Sequence, residues 1–467
     1  MSSKSGTLIN NTLIFMVGSI GSKFIQFFLV PLYTYTLTTE EFGITELVLT
    51  AANLLMPLFS VSIADGLLRF GLDKNLSKQQ VMKCALVIVG IGSLASLMLS
   101  PFFMMEKTLG QWLIYFLLIL NLRIYRDIFA IFLKINDKNK HFAVDSILYT
   151  LELCGLSILF LVPLKMGIEG YFLAHALANL GSIVYLLFAG HPLKGIAGTK
   201  TDTKLLKEIL IYSVPMIVNG LSWWVANAAN RFMLSYYMTE SDVGIYSVAA
   251  KIPLFIGTFT GVFCQAWIIS AVIEFENEQE RKFYSVTFHR YAFFLFFAAS
   301  GLIAIIRPFM HFYVAPEFEI AWQSTPFLIF STVFTSLAGF MVGVYAAAKK
   351  NVSVMITTLL GAIVNIILNA ILIPTMGVMG AAFATTIGWA LIFVTRIINI
   401  KSFFAFYINK RQLLGWIFLL MAQCVGVSYC GNMGYIISAF CFIATCYLGK
   451  GQLMEYIIIT KAKITRR

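Results

Sequence analysis

Charged residues are scarce in this sequence. Asp, Glu, Lys and Arg make up 12% of the 467 residues, whereas a soluble domain carries about 25%. Hydrophobic residues make up 59% of the chain, and the mean hydropathy is +0.84. A chain with so few charged residues cannot form the polar surface of a water-soluble protein, so we expect an integral membrane protein.

Residue patterns that carry enzyme chemistry are also missing. The five His residues are scattered, and the sequence contains neither a Walker-type glycine-rich loop nor an HExxH metal motif. The seven Cys residues lie in apolar runs without metal-ligand spacing, so we expect them to serve packing. The sequence therefore predicts no catalytic residue, no metal and no cofactor.

Long apolar runs are abundant. A spanning helix needs about 20 mostly apolar residues, and continuous runs of that kind favour helices over the alternating segments of a barrel. Fourteen runs are present, the last two being short, with approximate limits at residues 12–36, 43–64, 82–105, 111–133, 142–162, 171–190, 210–236, 243–270, 286–306, 323–346, 352–373, 380–400, 413–429 and 433–449.

Basic residues are distributed unequally between the two sides of this predicted topology. With the N-terminus inside, the cytoplasmic segments hold 25 of the 34 Lys and Arg residues, and the outer loops hold Lys107, Lys165 and Arg307. This asymmetry is the positive-inside pattern, which predicts that both termini are cytoplasmic. The net charge of +12 then reflects orientation and attraction to anionic membrane lipids, and no nucleic-acid partner is needed to explain it.

A short acidic turn occurs twice, as "TTEEFGITE" at residues 38–46 and as "TESDVGIYS" at residues 239–247. The equivalent positions are Thr38 and Thr239, Glu41 and Asp242, Gly43 and Gly244, and Ile44 and Ile245. An even number of spans separates the copies, so both run the same way across the membrane, as in a parallel internal repeat. Chance similarity is the alternative. We expect the turns to be helix caps or gate hinges at equivalent outer corners.

The repeat suggests an all-α architecture of two pseudo-symmetric lobes; the resemblance described below implies that they surround a central cavity. The predicted parts are an N-lobe at 1–190, a cytoplasmic linker at 191–209, a C-lobe at 210–400, and a C-terminal helix pair with a basic tail at 401–467.

Six basic residues fall inside or near the ends of predicted spans: Lys23, Arg123, Arg126, Arg231, Lys251 and Arg396. A charge near the centre of an isolated span costs about 3 kcal/mol on insertion scales, so such residues usually face a partner, a wet cavity or the head groups. Arg396 is near enough to the cytoplasm to snorkel, and we expect it to do so.

Lys23 lies near the middle of the first span, on one helical face with Ser19 and Gln26. We expect it to line a cavity, and the alternative is an ion pair with Glu46 or Glu152. These two acids could instead couple an ion to transport.

A polar and aromatic stripe follows one face of the seventh span. It consists of Asn219, Trp223, Asn227, Asn230 and Arg231. Amides and an indole ring suit sugars, and an Arg suits phosphate. Cavity lining is one interpretation, and interhelical hydrogen bonding is the other.

Three further basic positions are candidates for phosphate contacts. Lys251 precedes Pro253, which predicts a local irregularity in the eighth span. Arg123 and Arg126 share a face with Asp127, so an ion pair combined with snorkelling is an equal alternative there. Because basic residues outnumber acids inside the spans, an anionic substrate is favoured over a cationic one.

Two stretches resemble a known family. The segment "ILIYSVPMIVNGLSWWVANAANRFMLSYYMTESDVGIYSVAAKIP" at 209–253 closely resembles the polysaccharide or O-antigen flippases of the multidrug, oligosaccharidyl-lipid and polysaccharide exporter superfamily. The stretch "FFLVPLYTYTLTTEEFGITELVLT" at 27–50 is similar to the first two spans of the same family. Fourteen spans, the repeat and the lack of an ATPase domain agree with the resemblance.

The resemblance implies two lobes around a cationic cavity that opens to each side in turn. It implies a substrate that is a polyprenyl-diphosphate-linked oligosaccharide, moved to the outer leaflet of the bacterial cytoplasmic membrane, with polysaccharide polymerase and chain-length machinery as further partners. Lys23, Arg231 and Lys251 become candidates for the diphosphate; Trp223, Asn227 and Asn230 for the sugars. The C-terminal pair could form a groove for the lipid tail or lie at the periphery.

Two other functions stay open. A multidrug antiporter of the same superfamily would be expected to carry more buried acids. A membrane glycan polymerase or ligase would need a larger and more polar outer loop than "RPFMHFYVAPEFEIAW".

Overall fold

The structure of the protein is a computed structural model that describes residues 21, 25–199, 201–276, 280–404 and 406–454, without the side chains at 218–227, 276 and 280. Within these residues all regular structure is helical. The prediction of an all-α protein is confirmed.

Seventeen α-helices and two short 3-10 helices, Glu274–Glu276 and Pro316–Gln323, lie in the described part of the chain; the α-helices follow. They are α1 (25–36), α2 (Thr39–Phe59), α3 (Ile63–Gly71), α4 (Lys78–Met98), α5 (Ser100–Phe103), α6 (Lys107–Gln111), α7 (Leu113–Ile135), α8 (Asn139–Leu161), α9 (Gly167–Gly190), α10 (Thr203–Tyr237), α11 (Glu240–Lys251), α12 (Leu254–Ile273), α13 (Glu280–Tyr313), α14 (Thr325–Ala347), α15 (Asn351–Ile400), α16 (Lys410–Tyr429) and α17 (Met433–Leu448).

The helices account for the predicted apolar runs. In the described residues nine of them are long and apolar enough to cross a membrane, and α17 is a shorter apolar helix. Each of the fourteen runs overlaps one of the helices α1 to α17. One predicted irregularity is present, because α11 ends at Lys251 and α12 begins after Pro253. The chain is a multi-pass membrane protein.

The long helix α15 is two helices joined by a sharp turn. Gly377 has φ +55° and ψ −131°, a backbone conformation that side chains with a Cβ rarely adopt. The two arms return along each other, since Gly361 lies against the carbonyl of Gly388. This turn separates the predicted runs 352–373 and 380–400.

The chain forms two compact units. The first comprises Met1–Ser235 and Thr239–Gly244, and the second comprises Tyr236–Met238 and Ile245–Arg467. In the first unit α7, α8 and α9 pack on one another and α2 and α3 pack on α7. These units are defined by contacts, whereas the predicted lobes are defined by the sequence repeat. The boundaries of the lobes therefore stay predictions.

A buried glutamine holds the C-terminal helix pair to the second unit. Gln423 in α16 is fully buried, and its amide nitrogen donates to the Ser300 carbonyl in α13 at 2.9 Å and to Ser438 Oγ in α17 at 2.8 Å. The Ser300 hydroxyl donates back to Gln423 Oε1 at 2.6 Å. In an apolar surrounding such a satisfied amide fixes helix register, so α16 and α17 are firmly attached to α13.

Candidate functional site

Both copies of the repeated turn are helix caps. Thr38 accepts from the backbone N–H of Glu41 at 3.2 Å, and the Glu41 carboxylate accepts from the Thr38 N–H at 2.9 Å. Thr239 and Asp242 make the same reciprocal pair, at 3.3 and 3.2 Å. This is the capping box, which satisfies N–H groups that a helix start leaves unpaired. The prediction of structural caps is confirmed.

The two turns also lie against each other within the first unit. Ser241 Oγ donates to Thr39 Oγ1 at 2.8 Å. A Cβ added at Gly43 would overlap the carbonyl of Glu240, and one added at Gly244 would overlap the carbonyl of Thr39. The paired glycines therefore allow the starts of α2 and α11 to touch backbone to backbone. The four-position match in the sequence corresponds to a reciprocal contact.

Glu46 and Arg231 form an ion pair in the first unit. Their charged atoms are 3.4 Å apart, and their side chains are only 7% and 17% exposed. Asn230, beside Arg231 in α10, is buried. The partner of Glu46 in this structure is thus an arginine of the seventh span, while Lys23, the partner considered from the sequence, lies outside the described residues.

Arg126 is bound in a network between three helices. Its guanidinium contacts Asp145 of α8 at 2.9 Å and Ser182 of α9 at 2.6 Å, and it lies 3.9 Å from the centre of the Tyr149 ring. Ser182 also donates to the Asp145 carboxylate. Both partners are buried, so the charge of Arg126 is balanced by an acid rather than exposed to lipid.

Arg123 occupies a different surrounding on the same helix. It donates to the side-chain oxygen of Asn53 in α2, which is a neutral acceptor. This contact does not neutralise the charge of Arg123. Its guanidinium group, unlike that of Arg126, could therefore still form an ion pair with an anion.

Glu152 lies on α8 one turn beyond Tyr149. Its carboxylate contacts the backbone at Gly181, where a Cβ would come within 2.5 Å of Oε2. Oε2 is buried and accepts no hydrogen bond in the structure. A carboxylate with one such oxygen is a candidate for binding a proton.

The remaining predicted site residues lie in different units or outside the described part of the chain. Lys251 belongs to the second unit and is half-buried, while Arg231 belongs to the first. The side chains of Asn219, Trp223 and Asn227 lie outside the described part of the chain, as does all of Lys23. A substrate-binding site shared by these residues stays a prediction.

Arg396 corrects one expectation. It does not snorkel, because it is 3% exposed and donates to the Ala338 carbonyl at 2.7 Å, to Thr358 at 2.9 Å and to Thr357 at 3.1 Å. These acceptors belong to α14 and to the first arm of α15. Arg396, on the second arm of α15, therefore connects these segments in the core of the second unit.

An apolar pocket of about 520 Å³ lies in the second unit between α12, α13 and α17. Its walls include Phe259, Phe297, Leu302 and Phe442. The C-terminal pair therefore contributes a wall to a pocket that suits a hydrocarbon chain. Among the residues that the structure describes, no group of three His, Cys, Asp or Glu could hold a metal ion.

Comparison with protein families identifies the chain. The model of the family described as "Polysaccharide biosynthesis protein" matches residues 8–269, more than half of the sequence. The chain belongs to the polysaccharide biosynthesis protein family. This family member matches none of the curated proteins with which its sequence was compared.

Solved structures share the fold. One is "Lipid II flippase MurJ, inward closed conformation", with a TM-score of 0.68 and 14% identity over 95% of this chain and 100% of that one. Another is an inward-facing multidrug resistance MATE family transporter of the MOP superfamily, with a TM-score of 0.64 and 13% identity over 83% and 95%. Its outward-facing counterpart has a TM-score of 0.57 and 15% identity over 84% and 96%. The polysaccharide biosynthesis protein thus has the fold of flippases and transporters.

Proposed function

We propose that the protein is a flippase that moves a polyprenyl-diphosphate-linked oligosaccharide, such as an O-antigen or other surface polysaccharide unit, from the cytoplasmic to the outer leaflet of the bacterial cytoplasmic membrane. The family and the fold support transport of a lipid-linked sugar. The observation that carries the proposal is the ion pair of Arg231 with Glu46 at 3.4 Å, whose side chains are 17% and 7% exposed, because an arginine in a membrane interior suits a diphosphate.

The ion pair supplies a mechanism for exchange. When the diphosphate arrives, it competes with Glu46 for the Arg231 guanidinium. A proton taken up by Glu46 removes its negative charge and releases Arg231 to the substrate; loss of the proton restores the pair and expels the diphosphate. Lys23, Lys251 and Arg123 complete the proposed cationic set, and Arg126 is its least available member because Asp145 neutralises it.

The sugars and the lipid would occupy other parts of the protein. Asn219, Trp223, Asn227 and Asn230 are the proposed sugar contacts on α10. The apolar pocket beside α17 is the proposed seat of part of the polyprenyl chain. A polymerase and chain-length proteins would use the product in the outer leaflet.

A flipping assay tests the proposal. Protein in liposomes would receive a polyprenyl-diphosphate oligosaccharide with a fluorescent sugar, and an impermeant quencher would report its leaflet. We expect Lys23→Gln, Lys251→Gln and the pair Glu46→Gln/Arg231→Gln to slow flipping at least about tenfold, as expected for loss of more than 1.4 kcal/mol. The double substitution avoids leaving a buried charge unpaired.

The exposed Lys204→Gln and Lys207→Gln on α10 are matched controls that should leave the flipping rate unchanged. Wild-type flipping rates in the variants Lys23→Gln, Lys251→Gln and Glu46→Gln/Arg231→Gln would contradict the proposed diphosphate site. Absence of flipping by the wild-type protein would contradict the proposed function.

Orientation needs its own test. The single-cysteine variants Lys107→Cys and Lys165→Cys should react with an impermeant thiol reagent added outside intact cells. The variant Lys207→Cys should react only after the cells are lysed. The reverse pattern would contradict cytoplasmic termini.

A multidrug transporter is the second candidate, favoured by the MATE fold and by the buried carboxylate of Glu152. A cation exporter would use this acid, so cells would lose protection from cationic dyes on Glu152→Gln. Equal dye accumulation with and without the wild-type protein would exclude this candidate.

A further inference from the structure

A basic pocket lies in the second unit, where the start of α13, the start of α16 and the end of α17 come together. Its volume is about 670 Å³. Three of its lining residues are cationic, Arg281, Lys282 and Arg290, and no acid is among the described residues that line it. Opposite charges attract, so three cations lining one pocket favour the binding of an anion.

The wall of the pocket is a fixed hydrogen-bonded framework. Ser285 Oγ accepts the N–H of Tyr407 at 2.9 Å and donates to the Arg281 carbonyl at 2.8 Å. His289 Nε2 accepts the N–H of Asn409 at 2.9 Å. Two side chains of α13 thereby hold the segment that leads into α16.

His289 belongs to this framework and not to the set of cations. Its Nδ1 is 2.6 Å from the Ser285 carbonyl and must donate there, while Nε2 accepts from a backbone N–H. Only the neutral ring can donate at one nitrogen and accept at the other. The positive charge of the pocket therefore comes from two guanidinium groups and one ammonium group.

The opposite wall carries neutral polar groups and the start of a helix. Asn409 caps α16 by accepting the N–H of Gln412 at 3.2 Å, so the positive end of a 20-residue helix faces the pocket. Gln412 is anchored to the Leu448 carbonyl at 2.8 Å. The exposed ring of Tyr407, stacked on His289, forms an apolar edge beside these polar groups.

We propose that this pocket binds a phosphate group, either the head group of an anionic phospholipid in the adjoining leaflet or a free phosphate compound. Guanidinium groups match phosphate oxygens with paired hydrogen bonds, and a tyrosine edge is typical of sites at the membrane interface. The pocket is separate from Arg231 and Glu46, and the inference holds whatever the transported substrate is.

The test uses the purified full chain in detergent. Native mass spectrometry would count retained lipid after addition of phosphatidylglycerol or phosphatidylcholine, and a parallel titration would use inorganic pyrophosphate. The pocket variant is Arg281→Gln/Lys282→Gln/Arg290→Gln. The control is Lys74→Gln/Lys204→Gln/Lys207→Gln, three exposed lysines of the first unit, and Arg281→Lys/Arg290→Lys preserves charge in the pocket.

Retention of phosphatidylglycerol that falls at least tenfold in the pocket variant, and not in the control, supports a lipid head group. Pyrophosphate binding with the same dependence supports a soluble phosphate compound. Equal retention in the pocket and control variants, or no preference for phosphatidylglycerol over phosphatidylcholine together with no pyrophosphate binding, overturns the proposal. If the pocket variant fails to fold, the charge-preserving variant decides: it lacks the paired hydrogen bonds of the guanidinium groups, so its binding should fall, and binding equal to that of the wild type overturns the proposal.

Discussion

Glu46 and Arg231 keep two charges inside the protein by holding them together. Such a pair adds little net stability, but removing one partner is destabilising because the remaining charge loses its counter-ion. The pair is therefore better suited to a contact that exchanges partners than to one that stabilises the fold.

Stability measurements can separate these roles. We expect Glu46→Gln alone to destabilise the protein by about 3–5 kcal/mol, and Glu46→Gln/Arg231→Gln to recover most of that loss. Thermal unfolding of the purified protein gives both values. A double variant that is as unstable as the single one would show that the pair is not an independent unit.

The network around Arg126 should behave differently. Asp145→Ala removes the balancing carboxylate and should cost about 3–5 kcal/mol, whereas Ser182→Ala removes one neutral partner and should cost about 1–3 kcal/mol. The same melting assay checks the order. A larger effect for Ser182→Ala would mean that Asp145 is not the group that neutralises Arg126.

At the scale of helices, the paired starts of α2 and α11 depend on two glycines. Gly43→Ala would force the turns apart, because the added Cβ overlaps the carbonyl of Glu240. Gly90→Ala is the matched control, since a Cβ there meets nothing within 4 Å.

Disulfide formation reports this separation. In a chain whose seven native cysteines are replaced by Ala, we expect Thr39→Cys and Ser241→Cys to cross-link readily, because their hydroxyls are 2.8 Å apart in the native protein. Gly43→Ala should lower the cross-linked fraction and Gly90→Ala should not. Equal cross-linking in both would contradict the close approach.

The sequence predicted these elements unevenly. Continuous apolar runs located the spanning helices of the described residues, and the Thr and acidic residues of the turns predicted their caps, because both signals are local. The contact between the turns and the Arg126–Asp145 pair could not be predicted, since they join segments far apart in the chain. The Asp145 carboxylate is buried against Ser182 of another helix. Arg396 was misjudged because its acceptors are carbonyl and hydroxyl groups of other helices.

For the whole molecule, the proposed transport by alternating access would require that some contacts form and break in each cycle. If the touching turns are one of them, the disulfide between Thr39→Cys and Ser241→Cys should stop flipping, and a reductant should restore it. The liposome assay gives the rate before and after reduction. Full activity in the cross-linked protein would mean that the turns stay together throughout transport.

The turn at Gly377 also affects how the protein enters the membrane during synthesis. The residues around it, Pro374 to Met379, read "PTMGVM" and carry no charge. In the predicted topology this tip crosses to the outer side, and an uncharged tip crosses hydrocarbon at far lower cost than a charged one. The two arms of α15 can therefore be delivered by the insertion machinery as a closed hairpin, with no separate signal for the second arm.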